Sequence, residues 1–230
     1  MSFLKRFRDA LRSTPSSRAT AERVTSAPPP PDAPEEAKLR ATLEENPNDV
    51  PAFARLAEIV RRRAAEVAHP DPLSAEAEPV STARAEDTAH WALAEELAGR
   101  PHGWYPLIEL ARLSLSDDKE GAMRRLSAAC ERETEGKALV EGIKMLRAAH
   151  LPAEALGLGV GHWSPSDQDP EAGRQIVEAA LDAGRVSDAR RHLSDLAEFG
   201  STFAATPRVV AELEPFVAAA EAEADSATSQ

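Results

Sequence analysis

Six histidines, one cysteine and a short glycine run are the residues of this 230-residue chain whose types could carry chemistry. His69, His90, His102, His150, His162 and His192 form no HExxH or HxxxH pair, and no second cysteine stands ready to complete a metal site. No metal and no cofactor is expected. Cys130 has no disulfide partner in the chain, and its place on the apolar side of a helix makes it a small hydrophobe. The run Gly157-Leu158-Gly159-Val160-Gly161 lacks the GxGxxG spacing and follows a helical pattern rather than a strand, so it reads as a short, weak helix and not as a dinucleotide loop. GxSxG and P-loop motifs are absent from the sequence. Carboxylates are abundant, but on exposed helical faces they serve solvation and i,i+4 pairing, and no acid/base pair stands apart from the rest. Trp91, Trp104 and Trp163 are expected to pack in the core of an aromatic-poor chain, and Arg61, Arg62 and Arg63 to mark a solvated helix end. Catalysis is not expected; binding is.

The elements that carry these residues are helical. Hydrophobic residues make up 42% of the chain and charged ones 29%, which suits a folded protein, while aromatics are only 4% and the apolar mass is mostly Ala, Leu and Val, which favours helix-on-helix packing. The net charge of -12 argues against a nucleic-acid partner, because neutralising phosphates needs a cationic face. No stretch approaches the roughly 20 apolar residues of a membrane-spanning helix. Lys5, Arg6, Arg8, Asp9 and Arg12 interrupt any apolar run of a secretory signal, so the chain is expected in the cytoplasm.

Charge divides the chain. Residues 1–24 hold six cations against two carboxylates, a net +4, which leaves -16 for the remainder. Met1, Phe3, Leu4, Phe7, Ala10 and Leu11 share one helical face of this basic amphipathic segment. Residues 25–34 contain five prolines and are expected to form a polyproline spacer reaching about 30 Å. From 35 to 225 the pattern is helical, with helices near 35–46, 50–68, 82–99, 103–115, 117–132, 136–149, 152–162, 170–183, 186–198 and 207–224. A proline-rich insertion lies near 69–81, and 226–230 is expected to be a disordered tail. Asp169 before Pro170, and Thr206 before Pro207, read as N-caps with proline in the first turn, and Asp117 with Glu120 reads as a capping box. Pro215 should kink or split the last helix, whose face carries Val209, Val210, Leu213, Phe216, Val217 and Ala220.

Internal periodicity organises the helices into pairs. The segments DDKEGA, HLPAEA and GRVSDA end on Ala122, Ala155 and Ala189, spaced 33 and 34 residues apart, and Ala89 lies 33 residues upstream of Ala122. Larger residues follow at helical spacing: Leu93 after Ala89, Leu126 and Ala129 after Ala122, Leu193 and Leu196 after Ala189. A second alignment sets Pro47, Phe53, Leu56 and Ala57 against Pro101, Leu107, Leu110 and Ala111. On these residues the chain resembles the tetratricopeptide repeat family, whose bulky, leucine, small-residue and closing-proline slots they match. Each repeat departs from the family pattern somewhere, and Gly157, Gly159 and Gly161 weaken one second helix.

The resemblance implies an all-α fold: antiparallel helix pairs stacked into a right-handed α-solenoid, closed by a C-terminal capping helix, with a concave face that binds proteins or peptides. In family members that clamp a terminal carboxylate, Lys, Asn and Arg line the first helices; here the corresponding positions hold Ala54, Glu58, Glu109 and Gly142, so that mode is not expected. A mixed-charge groove of Arg55, Glu58, Glu109, Arg112 and Glu141 is the expected partner-binding face. The function expected is an adaptor or scaffold. The alternative is a scaffold held at the inner face of the membrane, with Phe3, Leu4, Lys5, Phe7 and Arg8 contacting anionic lipid.

Overall fold

Apolar residues recurring every third or fourth position set up ten α-helices among the described residues, which in this computed structural model are 32–68 and 82–228. They are α1 (Ala33–Glu45), α2 (Val50–Ala68), α3 (Thr82–Ala98), α4 (Tyr105–Ser114), α5 (Lys119–Arg132), α6 (Lys137–Ala148), α7 (Pro152–His162), α8 (Pro170–Asp182), α9 (Val186–Phe199) and α10 (Thr206–Thr228). A 3-10 turn, Gly200–Thr202, joins the last two. The chain divides into two units, Met1–Ala33 and Pro34–Gln230. Of the first, only Asp32 and Ala33 are described, so the basic segment 1–24 and most of the proline-rich stretch lie outside the described residues, as does the insertion near 69–81.

In the second unit each helix from α2 to α10 packs on the next, and alternate helices also touch: α4 with α6, α6 with α8, α8 with α10, and α5 with α7. This is an all-α arrangement packed mostly between sequential neighbours, and it is consistent with stacked helix pairs. Three of the four periodic alanines share the same burial. Ala122, Ala155 and Ala189 are fully buried, whereas Ala89 is half-buried. The two aligned segments behave alike, with Phe53, Leu56, Ala57, Leu107, Leu110 and Ala111 all in the core. Removing such faces from water contributes roughly 25 cal/mol per Å2, and no single pair could bury them alone.

Glycine serves close approach at successive interfaces. A Cβ on Gly142 would stand 2.9 Å from Leu158, one on Gly159 2.6 Å from Ile176, and one on Gly173 2.9 Å from Leu196. Gly157 and Gly161 meet nothing within 4 Å, so of the glycine run only Gly159 is needed for packing.

Several local expectations are corrected. The cap of α5 is Asp118, which accepts from the Gly121 N–H at 2.8 Å, rather than Asp117 with Glu120. Asp169 does cap α8, accepting from Glu171 N–H, but the buried Thr206 hydroxyl donates to the Gly200 carbonyl and so ties α10 to the preceding turn. Pro215 does not split α10, which runs unbroken through Thr228 and so into the stretch expected to be disordered. Val209, Leu213 and Val217 seal that helix against the core, while Phe216 is 66% exposed and does not belong to the sealing face. Pro34, the last residue expected in the spacer, sits in the first turn of α1.

Charged pairs stitch both alternate and successive helices together. Arg147 of α6 binds Asp182 at 2.7 Å and Glu178, both on α8, and Arg174 of α8 reaches Glu212 on α10. Lys119 of α5 meets Glu154 of α7 at 2.7 Å, and Arg190 of α9 holds Glu214 and Glu221 of α10, each at 2.7 Å. The exposed pairs among these are worth only about 0–1 kcal/mol each, whereas Arg147 and Arg174 are part-buried.

Candidate functional site

The helix starts define one edge of the molecule, and side chains from neighbouring segments build it. Trp104 stands at the N-cap of α4 with no cap bond of its own. Asn48, just ahead of α2, supplies the acceptor: its Oδ1 takes the Trp104 N–H at 2.8 Å and the Tyr105 N–H at 3.0 Å, and its amide donates to the His102 carbonyl at 2.8 Å. His102 has a φ of 61°, a left-handed conformation that this bond helps to hold. Gly136, at the N-cap of α6, has a φ of 95°, which only glycine adopts without strain, and the buried Glu133 carboxylate accepts from the N–H groups of Glu135 and Ala138. The Glu135 carbonyl in turn accepts from Asp169 N–H at 3.0 Å, joining the start of α6 to the start of α8. These bonds pair the start of α2 with that of α4 and the start of α6 with that of α8, and one groove touches all four.

A groove of about 740 Å3 runs along this edge. Among the described residues its apolar lining is Val50, Trp104, Val140 and Phe203, and its charged lining is Glu135, Glu141, Asp167, Asp169 and Glu171 against the one cation Lys137. A second hollow of about 520 Å3 opens between α2, α3 and α4, lined by Glu58, Arg61, Glu86, His90, Tyr105 and Glu109 among others. Glu109 is only 6% exposed; it accepts from Arg112 Nε at 3.4 Å and lies 3.5 Å from His90 Nε2. Burial pushes the His90 imidazole below its ordinary value, opposed by the Glu109 charge and assisted by Arg61. Burial also pushes the Tyr105 phenol up, reinforced by the charge of Glu109 and a hydrogen bond to it. Tyr105 is therefore a neutral donor and His90 a neutral imidazole at pH 7. A third hollow, between α6, α8 and α10, is lined by Arg147, Arg174, Glu178 and Phe216.

The structure distributes the five expected groove residues. Glu58 and Glu109 line the same hollow. Arg112 stands beside it through Glu109. Arg55 is engaged by Glu35 of α1 at 2.7 Å and by Glu58 at 2.7 Å, bonds that raise its pKa, so it fastens α1 to α2. Glu141 lines the other groove, although its charge still influences the titration of Tyr105. Gly142 belongs to the α6–α7 contact and not to a binding face. Phe3, Leu4, Lys5, Phe7 and Arg8 lie outside the described residues.

Other candidates resolve into packing. Trp91, Trp104 and Trp163 all pack against the core, Trp91 beneath the Arg125 guanidinium at 5.1 Å, and Trp104 alone of the three also lines the groove along the helix starts. Arg61, Arg62 and Arg63 are ion-paired with Glu86, Glu66 and Glu36. Cys130 is buried, and burial, with Glu133 and Glu131 nearby, pushes its thiol up to about 12. Among the described residues no group of three or more His, Cys, Asp or Glu is placed to hold a metal ion, and no helix is long and apolar enough to cross a membrane. The sequence reading missed Val50, Val140, Asp167 and Phe203 as groove residues. The available signal was positional: each falls within four residues of the start of an alternate helix.

The chain matches no protein-family model, no curated protein and no solved structure with which it was compared.

Proposed function

We propose that this protein is a non-catalytic adaptor or scaffold whose helices form a tetratricopeptide-like, right-handed solenoid that binds a protein or peptide partner along the face shared by α2, α4, α6, α8 and α10. One observation carries the reading: residues of these alternate helices line three hollows of about 740, 520 and 480 Å3, the second of them shared with α3. Such a face is a by-product of stacking, since the apolar stripes are consumed between pairs while the side chains left on the shared face are free to meet a partner. The strong negative charge disfavours nucleic acid as that partner. The protein acts in the cytoplasm and needs no cofactor.

Site-specific photo-cross-linking in the cells that make the protein tests this. A photoreactive residue at Glu58 or Glu141, each lining a hollow, should give a discrete adduct; one at Glu120 or Arg124, exposed on α5, should not. Equal labelling from both sets, or none from the hollows, overturns the proposal.

A further inference from the structure

The groove along the helix starts has a chemical character that narrows its occupant, an argument resting on the binding role proposed above. Val50 is 39% exposed although it opens the first turn of α2, and Trp104 and Phe203 are only half-buried, so the groove presents large apolar surface to solvent. Around this surface stand five carboxylates and one ammonium. The ammonium is already taken, because Lys137 Nζ lies 2.5 Å from Glu135. Glu171 is held by Arg174 at 3.0 Å. Asp167 accepts only from the Ser164 and Ser166 hydroxyls, Asp169 only from backbone N–H, and both are exposed. Helix starts carry partial positive charge of about half a unit each, which offsets part of the acidity at α6 and α8 and leaves a clear negative excess.

We infer that this groove docks a basic amphipathic segment of a partner protein, with its apolar side chains against Val50, Trp104, Val140 and Phe203 and its Arg or Lys groups on Glu141, Asp167 and Asp169. Charge complementarity selects this occupant over an acidic peptide, which would face repulsion from the same rim. The size fits as well. Packed helices lie about 8–10 Å apart, so the line from α2 to α8 across four alternate helices spans about 25–30 Å, the length of about 9 extended residues or about 20 helical ones.

The probe is a fluorescein-labelled synthetic 20-residue amphipathic peptide with Arg and Lys on one face and Leu and Phe on the other, titrated into the full chain and followed by anisotropy. Its control carries Glu in place of every Arg and Lys. The parent chain should bind the basic peptide and not the acidic one. The double variant Glu141→Arg with Asp167→Arg should weaken binding at least about tenfold and flatten its salt dependence. Glu120→Arg with Glu131→Arg, exposed on α5, should leave it unchanged, with thermal melts confirming that both variants fold. Equal weakening by both pairs would reveal diffuse acidity rather than a site. Preference for the acidic peptide, or no peptide binding, would overturn the inference, as would sedimentation showing the groove closed by a second copy of the chain. An adduct from Glu141 in cells without binding of the basic peptide leaves the adaptor role standing and removes only this occupant; peptide binding without any cellular adduct does the reverse.

Discussion

Replacing Asn48 with Ala isolates the device that builds the helix-start edge. The substitution removes one acceptor serving two N–H groups at the start of α4 and one donor to His102. Loss of a helix cap costs about 0.5–2 kcal/mol, and the upper part of that range applies because Tyr105, one of the residues left without an acceptor, is only 8% exposed. The His102 carbonyl is exposed and can turn to water, adding at most about 0.5 kcal/mol. The total is about 2 kcal/mol. With a urea m-value of about 2 kcal/mol per M, the unfolding midpoint should fall by about 1 M. Asn48→Asp keeps the acceptor and places a carboxylate at a helix start, a gain of about 0.3–1 kcal/mol, so it should lose less than half as much. Urea titrations followed by tryptophan emission and by circular dichroism read the midpoints. Amide exchange at Trp104 and Tyr105 reads the local effect, which matters because helices packed mostly on their sequential neighbours can unfold in more than one step. An Ala variant within about 0.3 M of the parent, or an Asp variant as damaged as the Ala one, would refute the assignment of this cap.

Gly159→Ala should destabilise the chain by about 1–2 kcal/mol, because its Cβ would press on the fully buried Ile176, whereas Gly157→Ala, facing open space, should stabilise it by about 0.5–1 kcal/mol; urea midpoints moving in the same direction would contradict this. His90 and His192 both titrate below 6.5 in the folded chain, burial being the main cause, so the unfolded chain binds more protons there and stability should fall as pH drops from about 7 towards 5. His90→Gln with His192→Gln should remove most of that slope between about pH 7 and 5, and a slope unchanged in the double variant would assign it elsewhere. Cys130, with its thiol pushed up to about 12 from 9.0, should react with a thiol reagent at pH 8 roughly a thousandfold more slowly in the native chain than in urea; rapid native labelling would show that the α5 interface opens.

The ten helices and their order were legible in the sequence because most of them have an amphipathic period and clear breaks, which are local properties, although α1 buries only Leu43. Ala122, Ala155 and Ala189 could be matched by spacing alone, since a repeated unit must bury the same position each time. What a single helix start needs was less legible: Asp118 and not Asp117 caps α5, and Thr206 bonds backwards, because one residue of shift decides which N–H a side chain can reach.

Only the tertiary structure decided where the faces meet. Arg55 and Glu141 share a helical register with Glu58 and Glu109, yet Arg55 is drawn to Glu35 twenty residues earlier and Glu141 lines a separate groove. Phe216 fits the apolar stripe of α10 but projects into solvent. Helical periodicity fixes which residues lie on one side of a helix; the angle and offset at which the next helix arrives fix which of them are covered. That offset depends on close approaches at Gly142, Gly159 and Gly173 and on Asn48 reaching across to α4, interactions between segments up to 57 residues apart that no local pattern encodes.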